Sequence, residues 1–299
     1  MNNWFQTDVA YRLMDSCQED MSPIRVQTDG CACIAAVMGP WFAHRAVVQG
    51  GVQIDNKDGL QSLLQRLKEQ CLERHCVYIE LRNFTDYTAY RNIFESVGFI
   101  YKPHYDVLID TSDREAMWSR LHESKQRKLS MLLDSGHRTQ NGKDVTWREA
   151  ETEEDVKAFY PCLQILYRRK IKRPLPSRHF FIEAWRQGVT VLVTEEKGRH
   201  GSKTINGGVL VPMMGTTAYE WYICGQIMST WAVMEWCNAH GVATLDTMGA
   251  GEPGVPYGVR DFKLQMGGTL YEYGRFIYVA DPLRYRIGKK IMENKIRRI

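Results

Sequence analysis

The stretch Ala218–Gly268 decides the fold: AYEWYICG (218–225), a polar-to-apolar run STWAVMEWCNAHG (229–241), VATLDTMG (242–249) and AGEPGVPYGVRDFKLQMGG (250–268). Alternation from Tyr219 to Cys224 and the β-branched start of Val242–Leu245 predict two strands. The spacing of Ala232, Val233, Trp236 and Cys237 predicts a helix between them. Strand, helix, strand is the unit of an α/β sheet. Glycines 249, 251, 254 and 258 break the chain directly after the second strand, so Asp246 ends a strand beside a loop, where open α/β sheets bind ligands. The loop leads into Arg260, Asp261, Phe262 and Lys263 on a short helix closed by Gly267 and Gly268. This is the expected site.

Working outward, 299 residues suffice for about two domains of ~150 residues with a core each. Hydrophobic content of 44% and charged content of 25% are ordinary for a globular protein. The net charge of +4 hides an asymmetry, because bases cluster at 125–128, 168–173 and 284–298 and acids at 149–155. Clustered positive charge suggests a polyanionic ligand held locally. The eight cysteines lack the paired spacing of a zinc site and are expected to be reduced, with no metal. MNNWFQTDVAYR has no signal-peptide pattern, and no run approaches the ~18 apolar residues of a spanning helix. A cytoplasmic location follows as the expectation, with peripheral contact to a membrane surface open.

The first half carries the same landmarks. Two strands join at a turn over Met38–Pro40; Leu60, Leu63, Leu64, Leu67 and Cys71 mark one helix face; His75 precedes the strand VYIEL. The turn at Met214–Gly215, the helix ending at His240 and the strand VATLD repeat them. A duplicated domain is expected, 1–145 and 146–282, with HRTQNGKD (137–144) as the boundary. Glu80 falls opposite Asp246, but Phe94 is followed by Glu95 where Phe262 is followed by Lys263. Chemistry is therefore assigned to the second half.

Arg114–Asp134 reads as one helix with Gly136 as its stop, its polar face carrying Lys125, Arg127 and Lys128. Thr152 and Asp155 resemble a capping box, which starts the next helix near Glu153. That helix ends in Arg168, Arg169, Lys170, Lys172 and Arg173 before Pro174. A helix dipole needs fewer bases than this, so a solvated end and a phosphate-contacting loop both stand, with Arg168, Arg169, Lys172 and Lys128 as candidate contacts. The segment 283–299 is an amphipathic basic helix expected to dock on the first domain.

The strand ending in Asp246, the Gly-rich loop, Phe262-Lys263, the Gly267-Gly268 pair and the following strand from Leu270 to Val279 resemble the FemABX peptidyltransferase family. WSRLHESKQRKL near 118 and LYRRKIKRPLP near 166 extend the resemblance over most of the chain. The resemblance implies two tandem domains of the Gcn5-related acyltransferase fold, a mixed-sheet α/β class. It also implies transfer of an amino acid from aminoacyl-tRNA to a peptidoglycan precursor peptide, with no cofactor. On it, Lys263 is the family's lysine near the reacting ester, with Phe262 packing beside it.

No Walker loop, GxSxG elbow, HExxH or Cys-His signature is present, which leaves direct attack of an amine on a bound ester or thioester. Such a reaction needs positioning and stabilisation of a tetrahedral oxyanion rather than a protein nucleophile. Lys263 suits the oxyanion, or is a solvated helix lysine. Asp246 orients the amine or accepts its proton, or ties its own loop. Arg260, Asp261, Tyr222 and Tyr257 are candidate substrate contacts, the tyrosines the weaker ones. The junctions CGQIMSTWA and QGGVQIDNKDG lack the Q/R-x-x-G-x-G/A pattern that holds a coenzyme A pyrophosphate, which favours aminoacyl-tRNA over acyl-CoA as donor. Two other readings remain: an N-acyltransferase of polysaccharide or lipid pathways, and a non-catalytic module binding RNA or a cell-wall precursor (a nucleotide- or lipid-linked muropeptide).

Overall fold

The computed structural model describes residues 3–40, 42–133, 144–197 and 202–297. It separates into one unit of Met1–Tyr105 with Glu272–Ile299 and a second of Asp106–Tyr271.

In the first unit the order is α1 (Asp8–Ser16), β1 (Ser22–Thr28), β2 (Cys31–Met38), β3 (His44–Gly50), β4 (Gln53–Ile54), α2 (Leu60–Glu73), β5 (Cys76–Asn83), α3 (Arg91–Ser96) and β6 (Ile100–Lys102). Helix α2 buries Leu60, Leu63, Leu64, Leu67 and Cys71, the stripe its spacing predicts. Full burial of each leucine is worth about 1.5–3 kcal/mol, which holds the helix to the sheet.

The second unit runs β7 (Tyr105–Asp110), α4 (Arg114–Arg120), α5 (Glu123–Leu133), β8 (Asp144–Glu149), α6 (Glu153–Leu166), α7 (Arg178–Arg186), β9 (Thr190–Lys197) and β10 (Lys203–Val211). It continues through β11 (Met213–Met214), β12 (Thr217–Tyr219), β13 (Tyr222–Cys224), α8 (Gln226–Ala239), β14 (Thr244–Gly249), α9 (Gly258–Gln265) and β15 (Thr269–Glu272). The chain then returns to the first unit with β16 (Arg275–Val279) and α10 (Pro282–Arg297).

The first unit's sheet has the order β1-β2-β3-β5-β16-β6, with β4 beside β2. Phe94 stacks on Phe276 at 4.0 Å between centroids in its core. The second unit holds two sheets, β13-β10-β9-β8 and β11-β12-β14-β7-β15. Helix α8 is apolar nearly all round, burying Ile227, Met228, Trp231, Val233, Met234, Trp236 and Cys237, as a helix inside a core must. Among the described residues no helix is long and apolar enough to cross a membrane.

The duplicated order is visible. In each unit a helix joins two parallel strands, β3 to β5 through α2 and β12 to β14 through α8. The pairing differs in extent. β3 and β5 pair from His44–Cys76 to Gly50–Asn83, with one register shift between His44 and Arg45, whereas β12 and β14 pair only over Thr217–Thr244, Ala218–Leu245 and Tyr219–Asp246. The strand expected over Tyr219–Cys224 breaks there: the Glu220 amide donates to Asp246 O at 2.9 Å, and the Trp221 amide donates to Leu210 O at 3.1 Å in the other sheet. Consecutive amides thus bond to different sheets, and the second unit opens at this point.

Three boundaries differ from the sequence expectation. The units divide at 105/106 and 271/272 rather than at 145/146, because β7 pairs with β14 and carries α4 and α5 into the second unit. The expected boundary at 137–144 and the stop at Gly136 lie outside the described residues, apart from Asp144, which opens β8. The helix expected over 114–134 is two, because Leu121 turns extended at ψ 137°. The strand expected from Leu270 to Val279 is two, parted at Gly274, whose φ of +68° suits glycine. Helix α6 begins on the expected capping box of Thr152 and Asp155, and α10 rests on β5 with Tyr285 edge-on to Tyr78 at 5.2 Å.

Candidate functional site

Where β12 leaves β14, four ionisable side chains are buried: Glu220, Asp246, Lys263 and Asp106. Each comes from a different element. Asp246 is on β14, Lys263 on α9 and Asp106 on β7, and Glu220 is the first of the two residues between β12 and β13. Isolated buried charges are costly, so such a group must be mutually compensated or partly neutral.

Lys263 shows how. Its Nζ donates to Thr247 O at 2.5 Å, Met248 O at 2.8 Å and Gly249 O at 3.0 Å. An ammonium has three hydrogens, and here each has an acceptor. Consecutive strand carbonyls normally alternate in direction, so three aimed at one point require a distortion. The distortion is present: the β14–β7 register shifts between Asp246 and Gly249, and Met248 adopts φ +65°. Asp246 Oδ1 fixes that turn by accepting the Met248 amide at 2.7 Å. A left-handed methionine costs on the order of 1–3 kcal/mol, and such strain gathers at functional sites.

Burial lowers the Lys263 pKa, opposed by Glu220, Asp106 and Asp246. Asp246 is pushed up to about 6 by burial, opposed by the Met248 amide and Lys263. Glu220 is pushed up to about 7, again chiefly by burial, with Lys263 and the Thr230 hydroxyl pulling it down and Asp246 raising it. Thr230 Oγ1 donates to Glu220 Oε1 at 2.9 Å from within α8. A carboxyl poised near neutrality beside a strand opening can exchange a proton at physiological pH.

The other expected residues are placed as follows. Phe262 packs against the second unit's core with Lys125 Nζ 4.7 Å above its ring. Arg260 bonds Glu252 O at 3.0 Å and Val255 O at 2.6 Å, tying the Gly-rich loop. Asp261 and Tyr257 are exposed on the outside of α9 and at its start. Tyr222 sits in an aromatic group with Phe180, Phe181 and Trp221. Four bases converge elsewhere in this unit: a cavity of about 580 Å³ is lined by Tyr160, Tyr167, Arg168, Arg169, Lys172 and Arg173. A π-type turn over Tyr167–Ile171 and Lys172 at φ +55° bring them together. Lys128 is exposed on α5 and does not line the cavity.

Glu220 and Asp106 were missed by the sequence reading. The signal for Glu220 was present, a single carboxylate inside the apolar run AYEWYIC. In the first unit Glu80, which the repeat sets opposite Asp246, is also buried but fully ion-paired, with Arg275 at 2.6 Å and Arg82 at 3.0 Å, and its pKa lies far below the ordinary value. Burial there is outweighed by two guanidinium groups.

No family model matches this sequence, and no curated protein matches it. Solved structures do. FemX matches with a TM-score of 0.69 over 96% of this chain and 94% of that one, at 13% identity. The chain has the FemX fold. L-PGS from Bacillus licheniformis matches with a TM-score of 0.58 over 93% of this chain and 89% of that one, at 10% identity. A GCN5-related N-acetyltransferase from Sphaerobacter thermophilus matches at 0.50 over 90% and 91%, at 13% identity. The mixed α/β class and the FemX-like, GCN5-related architecture are those expected from the sequence; at these identities the likeness concerns the fold.

Proposed function

We propose that this protein is an acyltransferase that moves an aminoacyl group from aminoacyl-tRNA to an amine of a peptidoglycan precursor peptide by direct attack. The observation that carries the reading is the buried group of Glu220, Asp246, Asp106 and Lys263 at the opening between β12 and β14. The first unit, where the equivalent strands stay paired, acts as scaffold.

Glu220, whose carboxyl titrates near pH 7, takes the proton that the attacking amine releases as the carbon–nitrogen bond forms, and returns it to the ribose oxygen of the tRNA as the ester carbon–oxygen bond breaks and the hydroxyl leaves. Lys263 acts through its field and by fixing the turn at 247–249. Its three hydrogens already have acceptors, so it stabilises the developing oxyanion electrostatically unless one of those bonds opens. Asp246 holds the same turn from the other side. Phe262 shields the lysine, and Arg260 keeps the glycine loop in place.

The basic cavity supports a phosphate-bearing substrate, because clustered arginines form bidentate phosphate contacts. The missing pyrophosphate motif favours aminoacyl-tRNA over acyl-CoA. The test is incubation with charged tRNA and with acyl-CoA separately, each with a nucleotide- or lipid-linked muropeptide. A product heavier by an aminoacyl residue only with tRNA supports the reading; transfer only from acyl-CoA replaces it with N-acyl transfer.

A further inference from the structure

We propose that one end of the first unit binds the surface of an anionic lipid bilayer through α10. The observation is a helix with an apolar ridge turned outward. Leu283 is 69% exposed and Ile287 52% exposed, while Tyr285, on the other side of the helix, packs against Tyr78. Residues four apart share a face, so Leu283 and Ile287 form one continuous ridge.

Arginine and lysine flank the ridge. Arg286 and Lys290 lie three residues beyond Leu283 and Ile287 respectively, which places them along one side, and Arg284 lies on the other, bonded to Asp281 at 3.3 Å. The segment 282–299 carries seven Lys or Arg against one Glu. An apolar strip rimmed by bases is the pattern of a helix lying in the headgroup region, with the strip in the acyl boundary and the bases on lipid phosphates.

The sheet adds to the same end. β3 and β5 begin together at His44 and Cys76, and the amides of Ala280 and Asp281, just before α10, donate to Val77 O. The β2–β3 turn therefore lies at this end of the sheet, and it presents Phe42 at 56% exposure. Arg74, whose carbonyl meets His44 Nδ1 at 2.8 Å, is exposed there too. A polyanion such as RNA would be met by the bases but would have no use for three exposed apolar side chains, which is why a bilayer is the favoured occupant.

The test needs no enzymatic activity, so it stands or falls apart from the proposed function. The full chain is sedimented with phosphatidylcholine vesicles and with vesicles to which phosphatidylglycerol is added. Binding only to the second, weakened by salt, is expected. The double variants Leu283→Glu/Ile287→Glu and Arg286→Glu/Lys290→Glu should each lower partitioning by about tenfold or more, with unchanged thermal unfolding because the four side chains are exposed. Failure to bind phosphatidylglycerol vesicles, or binding by both variants equal to that of the wild type, overturns the proposal. So does a concentration-dependent dimer lost in the Leu283/Ile287 variant, or tRNA binding lost in the Arg286/Lys290 variant without any vesicle binding, since each assigns the surface to another occupant.

Discussion

The Glu220 amide donates to the Asp246 carbonyl at 2.9 Å, the last bond of the parallel pair before the strands separate. Both carboxyl groups are buried and both have raised pKa values. The backbone break and the unusual ionisation thus share one origin: two carboxylates are drawn into the interior where the sheet divides.

Glu220 should make stability fall as pH rises. Its folded pKa of about 7 exceeds the ordinary 4.5, so the folded state holds a proton that the unfolded state releases between these values. Its contribution is present below about pH 4.5 and is lost by about pH 7, on the order of 3 kcal/mol for a group titrating alone. Asp246 acts with the same sign between about 3.8 and 6. Urea unfolding across this range should show the decline, and Glu220→Gln should flatten its upper part. The same variant should remove the acidic limb of the transfer rate. A slope unchanged in Glu220→Gln would show that the carboxyl is ionised in the fold throughout.

The cavity lined by Arg168, Arg169, Lys172 and Arg173 should give binding that weakens steeply with salt. Each phosphate no longer neutralised by a base reduces the slope of log K against log salt by about 0.7 to 0.9. Alanine at all four positions should reduce the slope measured with tRNA or a pyrophosphate-linked precursor by about two or more, on the same per-phosphate scale, while Lys128→Ala should change it little. Equal slopes for the quadruple variant and the wild type would leave these bases a solvated helix end.

What could be read from sequence follows the range of the interactions. The α2 stripe, the Thr152 capping box and the order of elements around Asp246 are set by neighbours within a few residues, and periodicity finds them. The split of Tyr219–Cys224 between two sheets was hidden, because both halves alternate correctly as strands and the break depends on Leu210 and Asp246. Lys263 was legible as a residue of interest but not as a buried one, since its three acceptors arise from a left-handed Met248 that no local pattern demands. Asp106 was hidden because the pairing of β7 with β14, distant in sequence, brings it to the group. The domain boundary was misplaced because β7 looks locally like the end of the first repeat and is claimed by β14 across the sequence.

Glu80 provides the contrast within one chain. It is buried like Glu220, yet Arg82 and Arg275 hold its pKa well below the usual range, so its contribution is present above about pH 4.5 and lost on acidification. Glu80→Gln should destabilise the first unit by about 3 kcal/mol, since two half-buried guanidinium groups lose their counter-charge. Calorimetry at neutral pH would show the lowered transition, and turnover of the still-folded protein should stay within about twofold. A large loss of turnover with an unchanged transition would move chemistry into the first unit.

Lys263 is the residue on which the proposed chemistry can be separated from structure. Lys263→Met keeps the stem, removes the charge and strips the Thr247, Met248 and Gly249 carbonyls of their shared donor. Each buried carbonyl left without a partner costs about 1–3 kcal/mol, so unfolding should shift markedly. Loss of the positive field should lower turnover by ~10² to 10³ at a temperature where the variant is fully folded. KM should move far less, because the oxyanion develops only in the transition state. Asp246→Asn supplies the comparison: its amide oxygen still accepts the Met248 amide, so it should preserve the turn and lose the ionisation near pH 6. Turnover that survives in Asp246→Asn and fails in Lys263→Met assigns the effect to the lysine rather than to the ionisation of Asp246. Near wild-type turnover by Lys263→Met with saturating aminoacyl-tRNA and acceptor would leave the lysine a structural tie and remove the main support for chemistry at this opening.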